Sequence, residues 1–174
     1  MRFLKLSLVW MVVLPLSSFC AEQLSEDIFK PYVGRWVGEF TIHSTATGYS
    51  EVFPVEQLYW IKDGVLYGIA ASDRDSGMQN SRSETVIEGN RLRTRVFHDD
   101  SEESFFGALH EGGILWIPTD LKRVTDYQIK EMIVVEDGER VLKSEGFDSF
   151  VFQDGLAHII YRGSLRYVRE PKGK

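Results

Sequence analysis

Acidic and histidine side chains cluster at two places in the sequence, and both clusters contain residue types that bind metal ions. In the first, His98-Asp99-Asp100 is followed by Glu102 and Glu103. In the second, Asp73-x-Asp75-x-Gly77 has the spacing of an opening calcium loop, but the Glu84 that follows lies inside a predicted strand. Both clusters coincide with turns, where solvated acidic side chains are common. We therefore predict charged turns and no metal site.

The sequence lacks the patterns that support nucleophilic or acid–base catalysis. It contains no G-x-S-x-G motif, the tight turn that exposes a serine nucleophile. Cys20 is the one cysteine, and it lies in the N-terminal segment. No pair of side chains is specified as a general acid and a general base. We predict that the protein is not an enzyme and uses no cofactor.

Turns follow one another at regular spacing along most of the chain. Residues 45–48, 98–102 and 118–122 form three loose breaks. Six tighter turns place glycine beside residue types that adopt positive φ in hairpins: Lys62-Asp63-Gly64, Asp75-Ser76-Gly77, Glu88-Gly89-Asn90, Glu111-Gly112-Gly113, Glu136-Asp137-Gly138 and Gln153-Asp154-Gly155. These turns separate segments that alternate between apolar and polar residues or are rich in β-branched and aromatic residues, and such segments predict β-strands.

Successive strands joined by hairpins form an antiparallel meander, which usually closes because closure removes exposed edges. A short helix over residues 26–29, capped by Ser25 and ended by Pro31, precedes the first strand. The predicted fold class is all-β, an antiparallel up-and-down meander β-barrel of about ten strands (eight to ten). The predicted strands are 35–46, 50–61, 65–72, 79–87, 91–98, 103–110, 114–117, 123–135, 139–152 and 156–168.

Alternation assigns side chains to the inner face of this barrel. Arg91, Arg93 and Arg95 share one face of their strand and must point outward. The inner rows assigned in this way contain no Lys or Arg. A solid core is one interpretation of these rows, and a pocket for a small apolar ligand is the other. The predicted ligand-binding residues are Trp36, Phe40, Phe53, Val55, Tyr59, Tyr67, Ile69, Val96, Ile159 and Tyr161.

Length and charge limit the classes of partner. A chain of 174 residues is long enough for one domain with its own core. Its net charge of −6 argues against a nucleic-acid partner, because phosphate binding requires concentrated Lys and Arg. We expect a small hydrophobic molecule as the partner.

The first twenty residues have the features of a secretory signal peptide. A short basic start is followed by eleven apolar residues, Leu6 to Leu16, which are too few to span a bilayer. Small residues follow, and cleavage after Cys20 is expected. The alternatives are lipidation at Cys20, which would attach the protein to a membrane, and an uncleaved anchor. Residues 21–174 would then form a single domain, without a transmembrane helix, in the periplasm or outside the cell.

The opening of the predicted barrel carries a family resemblance. Gly34-Arg35-Trp36 follows a short helix and begins the first strand. This arrangement resembles the calycin superfamily of lipocalins, fatty-acid-binding proteins and nitrobindin-like proteins, whose opening strand carries G-x-W. Two segments, residues 34–39 and 59–64, are similar to sequences of uncharacterised bacterial lipocalin-like domains. The resemblance implies a barrel that binds or carries a small hydrophobic ligand.

The resemblance also implies two residue roles. Lipocalins often pack an arginine across the G-x-W tryptophan, and Arg162 or Arg166 could serve here, although alternation turns both outward. Nitrobindin-like barrels hold haem through a late histidine, for which His158 is the candidate. The R-x-Y clamp of fatty-acid-binding proteins is missing from the last strand. Three hypotheses about the function therefore stay open: a ligand carrier, a solid barrel that acts as a protein-interaction module, and a haem binder.

Overall fold

The computed structural model describes residues 24–120 and 126–169. A 3₁₀ helix, Glu26–Tyr32, leads into ten antiparallel strands. The strands are β1 Gly34–Ser44, β2 Ser50–Lys62, β3 Val65–Arg74, β4 Gly77–Glu88, β5 Arg91–Phe97, β6 Glu102–His110, β7 Gly113–Pro118, β8 Tyr127–Glu136, β9 Glu139–Phe152 and β10 Gly155–Val168.

Each strand pairs with the next along the chain, and β1 pairs with β10, so the sheet closes into a barrel. At this closure Trp36 lies opposite Tyr167, and Phe40 lies opposite Gly163. The predicted ten-strand meander is confirmed. The predicted start of β8 at residue 123 and the proposed signal peptide lie outside the described residues.

Two-residue turns define much of the strand register. Asp63 and Gly64 have φ of 52° and 77°, and Asp137 and Gly138 have φ of 52° and 79°. Positive φ at both central positions matches the right-handed twist of the flanking strands. This requirement explains why glycine at these turns predicted the strand boundaries.

The N-terminal helix differs from its prediction in two details. It is a 3₁₀ helix that includes Pro31 and ends one residue later, at Tyr32. Ser25 occupies the capping position, but its side chain makes no capping hydrogen bond in the described part of the chain. No helix among the described residues has the length and hydropathy needed to cross a bilayer.

This helix closes one end of the barrel, referred to below as the helix end. Phe29 and Trp36 are both 0% exposed there. The Trp36 Nε1–H donates a hydrogen bond of 2.7 Å to the carbonyl oxygen of Tyr32. Trp36 is therefore a buried plug beneath the helix.

The arginine that packs across Trp36 is Arg140 of β9, so the suggestion of Arg162 or Arg166 is wrong. Its guanidinium carbon lies 5.1 Å from the Trp36 ring centroid and 4.6 Å from that of Tyr167. It also donates a hydrogen bond to the Pro31 carbonyl oxygen. Arg162 and Arg166 are exposed on the outside, as alternation predicted.

Candidate ligand cavity inside the barrel

A cavity of about 370 Å³ extends from the helix end into the barrel. A smaller cavity of about 180 Å³ adjoins it and shares Phe40, Gln57, Ala70, Ser81 and His98. The walls of the larger cavity are mainly aromatic and aliphatic, with several hydroxyl groups. Its aromatic lining residues are Phe29, Tyr32, Phe40, Tyr59, Phe105, Trp116 and Tyr127.

Five of the sequence-predicted residues line these cavities from inner rows. Phe40, Tyr59 and Val96 border the larger cavity. Phe53 and Val55 border the smaller one, and Phe40 is common to both. The alternation of β1, β2 and β5 placed these side chains on the correct face.

Trp36, Ile159 and Tyr161 also belong to inner rows, but they lie outside the walls of the two cavities. Trp36 is covered by the helix. The Tyr161 ring centroid lies 6.3 Å from that of the cavity-lining Tyr127. Tyr161 therefore packs against a lining residue and does not itself border either cavity.

The predicted face of β3 is wrong. Tyr59 pairs with Gly68 and Trp60 pairs with Tyr67, so the inner row of β3 begins at Leu66. Tyr67 stacks on Trp60 outside the barrel, with ring centroids 5.7 Å apart. Ile69 belongs to the same outer row and is 47% exposed, although it borders the cavity. Both rows of β3 are largely apolar, and the bulkier row lies outside.

Glu131 is the site residue that sequence reasoning missed. It lies in the inner row of β8, opposite Ile114 of β7 and Ser144 of β9, and it lines the larger cavity. The Trp116 Nε1–H donates a hydrogen bond of 2.9 Å to its Oε2. The alternation Tyr127-x-Ile129-x-Glu131-x-Ile133 could have revealed it, because a carboxyl group there interrupts an otherwise apolar row.

Burial governs the electrostatics around this carboxyl group. Desolvation raises the pKa of Glu131, and hydrogen bonds from Trp116 and Ser144 act in the opposite direction. Burial is also the main cause of a raised pKa at Tyr32, Tyr59 and Tyr127. The nearby Glu131 raises the pKa of each of these tyrosines further.

Hydroxyl and amide groups on the opposite wall satisfy one another. The Thr85 and Thr94 hydroxyl oxygens lie 2.9 Å apart across β4 and β5. The Tyr59 hydroxyl donates to Gln57 Oε1 at 3.2 Å. These polar groups therefore lie in a mostly apolar wall and have hydrogen-bond partners there.

Charged residues occupy the end of the barrel opposite the helix. Glu51 accepts a hydrogen bond from Arg74 at 2.8 Å and another from the Asp75 backbone N–H at 2.8 Å. His98 and Glu103 line the larger cavity there, with Nε2 and Oε2 3.7 Å apart. Two arginines, Arg74 and Arg140, share the inner faces of their strands. Arg74 lies beyond the predicted end of β3, and alternation assigned no inner row to β9, so the prediction did not cover either position. Each lies near an end of the barrel, outside the cavity walls.

His158 does not face the interior. It pairs with Ser149 of β9 in the outer row, and its ring centroid lies 5.5 Å from that of Phe147. This position does not fit ligation of a haem held inside the barrel. Across the described ranges, no three His, Cys, Asp or Glu side chains come together in a group that could hold a metal ion.

Comparisons with protein-family models, with curated proteins and with solved structures find no match to this chain.

Proposed function

We propose that the chain is an exported, lipocalin-like carrier or sensor that binds a small, mainly apolar molecule inside its barrel. The observation that carries this proposal is the interior cavity of about 370 Å³. Its volume lies in the range of small-molecule sites, about 300–1,000 Å³, and such sites combine apolar walls with a few polar groups. The hydrogen-bonded hydroxyls and the Glu131 carboxyl supply those polar groups.

The shape of the cavities also favours a small ligand over a long one. The helix closes the cavity through Phe29 and Tyr32, which form part of its lining. The smaller cavity extends toward the opposite end through Phe53 and Val55. A compact ring system or a short chain would bury its apolar surface here, and burial contributes about 25 cal/mol for each Å².

Export is part of the proposal because residues 1–20 have the pattern of a signal peptide. Native mass spectrometry of the protein taken from the exported fraction of its own cells would show a retained ligand directly. The same spectrum gives the mass of the N-terminus. That mass distinguishes cleavage after Cys20 from lipidation.

The binding site is tested by titrating the neutral fluorescent compound N-phenyl-1-naphthylamine into the purified protein. We expect saturable binding that Ala70→Leu weakens at least about tenfold, since the added side chain fills the junction of both cavities. Ala71→Leu is the matched control, because Ala71 lies in the outer row of the same strand. Equal binding by both variants would place the site outside the barrel and contradict the proposal.

A further inference from the structure

The cavity walls contain two carboxyl groups and, in His98, one imidazole. Of the described residues that line the two cavities, Glu131 and Glu103 carry carboxyl groups, and none is a lysine or an arginine. Glu103 lies beside His98, toward the end opposite the helix. Glu131 lies deeper, among the aromatic side chains.

The arginines of the described inner rows, Arg74 and Arg140, have other partners. Arg140 packs across Trp36 and Tyr167 and donates to the Pro31 carbonyl oxygen. Arg74 pairs with Glu51 at 2.8 Å. Neither arginine lines the cavity, so neither is placed to neutralise Glu131.

The partners of Glu131 are neutral hydrogen-bond donors. The Trp116 Nε1–H donates a hydrogen bond of 2.9 Å to Glu131 Oε2, and the Ser144 side chain supplies a second hydrogen bond. These contacts fix the carboxyl group beside the cavity without supplying a counter-charge. Tyr32, Tyr59 and Tyr127 lie near enough to interact electrostatically with it.

We propose that the ligand is a small organic cation, an alkylamine, whose ammonium group pairs with Glu131 while its carbon skeleton fills the cavity. This inference deepens the proposed function and rests on it. Glu131 is half-buried and lines the cavity, so an incoming ammonium group meets a carboxyl group whose described partners are uncharged. The surrounding aromatic faces attract cations as well.

The same arrangement disfavours fatty acids. A ligand carboxylate would approach Glu131 inside a site of low polarity, where two like charges repel each other strongly. A neutral alcohol of the same length would gain the apolar contacts but no ion pair. The order of affinity that the site predicts is therefore amine, then alcohol, then carboxylate.

Displacement of bound N-phenyl-1-naphthylamine by hexylamine, hexanol and hexanoate tests this order. At neutral pH an alkylamine is protonated, as the Lys ammonium is. We expect hexylamine to bind at least about tenfold more tightly than hexanol, and hexanoate to bind most weakly. Hexanol or hexanoate binding as tightly as hexylamine would overturn the inference.

Three variants test whether Glu131 causes the preference for hexylamine over hexanol. Glu131→Gln keeps the side-chain shape and should reduce the preference for hexylamine over hexanol to near unity. Trp116→Phe removes the N–H that fixes the carboxyl group and should reduce the preference in part. Glu145→Gln is the control, because Glu145 is an exposed carboxylate of the outer row and should leave the preference intact.

The possible results distinguish a failure of the amine proposal from a failure of the carrier proposal. If the fluorescent compound and hexanol bind but hexylamine has no advantage, the amine proposal fails and the carrier proposal stands. If no compound binds to the folded protein, both fail. A preference that survives Glu131→Gln would mean that another group recognises the amine, and the assignment to Glu131 would be wrong.

Discussion

At the residue scale, Glu131 places a half-buried carboxyl group beside a mostly apolar cavity. Its carboxyl group lies inside an apolar barrel and has only neutral donors as described partners. An ionised group in such a place reduces stability unless a partner neutralises it. This cost is hard to explain by folding alone, which is why we connect the residue with ligand recognition.

Glu131 should make the protein less stable as the pH rises. Its pKa is raised in the folded state above the usual value of 4.5. Below that value Glu131 is protonated in both the folded and the unfolded protein. As the pH rises, Glu131 ionises first in the unfolded chain, so the folded protein loses stability until the pH reaches the folded pKa. We expect Glu131→Gln to gain stability relative to the unaltered protein as the pH rises from about 4 to neutrality. Urea unfolding across this range measures the difference, and a constant difference would contradict it.

Glu51 should show the opposite pH dependence. Hydrogen bonds from Arg74 and from the Asp75 N–H lower its pKa below the usual value of 4.5. Its contribution is therefore present above that value and lost as the pH falls through the folded pKa. Glu51→Gln should be less stable than the unaltered protein at neutral pH. The two proteins should converge in urea unfolding as the pH falls through the folded pKa of Glu51, and a gap that widens on acidification would refute this.

Trp36 should be the costliest aromatic residue to truncate at the helix end. It is 0% exposed and contacts both the helix and Arg140. Trp36→Ala should reduce the free energy of unfolding by about 3–5 kcal/mol, the usual cost of a buried large aromatic side chain. Trp60→Ala is the comparison, because Trp60 is 38% exposed on the outer face and should cost less. A loss below about 1 kcal/mol at Trp36 in urea unfolding would show that the plug is dispensable.

At the element scale, the hairpin turns are conformational requirements rather than spacers. Gly138 has φ of 79°, whereas Gly155 has no positive φ, and added Cβ atoms would meet nothing within 4 Å at either position. Gly138→Ala should cost about 1–2 kcal/mol, since the left-handed region penalises a Cβ. Gly155→Ala should stay within about 0.5 kcal/mol of the unaltered protein. Equal effects in urea unfolding would mean that φ is not the cause.

These turns also explain how far the sequence could predict the fold. Six glycine turns and three looser breaks marked the ten strands, and the glycine turns could be recognised because their conformational demand is local. The inner face of β3 could not be derived in the same way, since Val65 and Leu66 begin two rows that are both largely apolar. Its face depends on pairing with β2, where Lys62 meets Val65 across the turn. Arg140 was missed for a related reason, because its contact with Trp36 depends on closure of the barrel.

At the scale of the whole molecule, closure makes the interior one cooperative unit. Every strand is paired on both sides, so opening the cavity breaks sheet hydrogen bonds rather than moving a surface loop. The helix end ties β1, β9 and β10 together through Trp36, Arg140 and Tyr167. A ligand inside the barrel should therefore stabilise the whole fold against unfolding.

Thermal melting with N-phenyl-1-naphthylamine tests this coupling. A ligand that binds only the folded state at about 100 times its Kd adds about 2.7 kcal/mol, which corresponds to about 5–10 °C in Tm for a domain of this size. Because a neutral compound needs no charged partner, the shift should be the same at low and high salt. Ala70→Leu should abolish most of the shift, and Ala71→Leu should retain it. A shift that disappears at high salt would indicate binding to the charged outer surface, since ions screen exposed charges far more than a buried site.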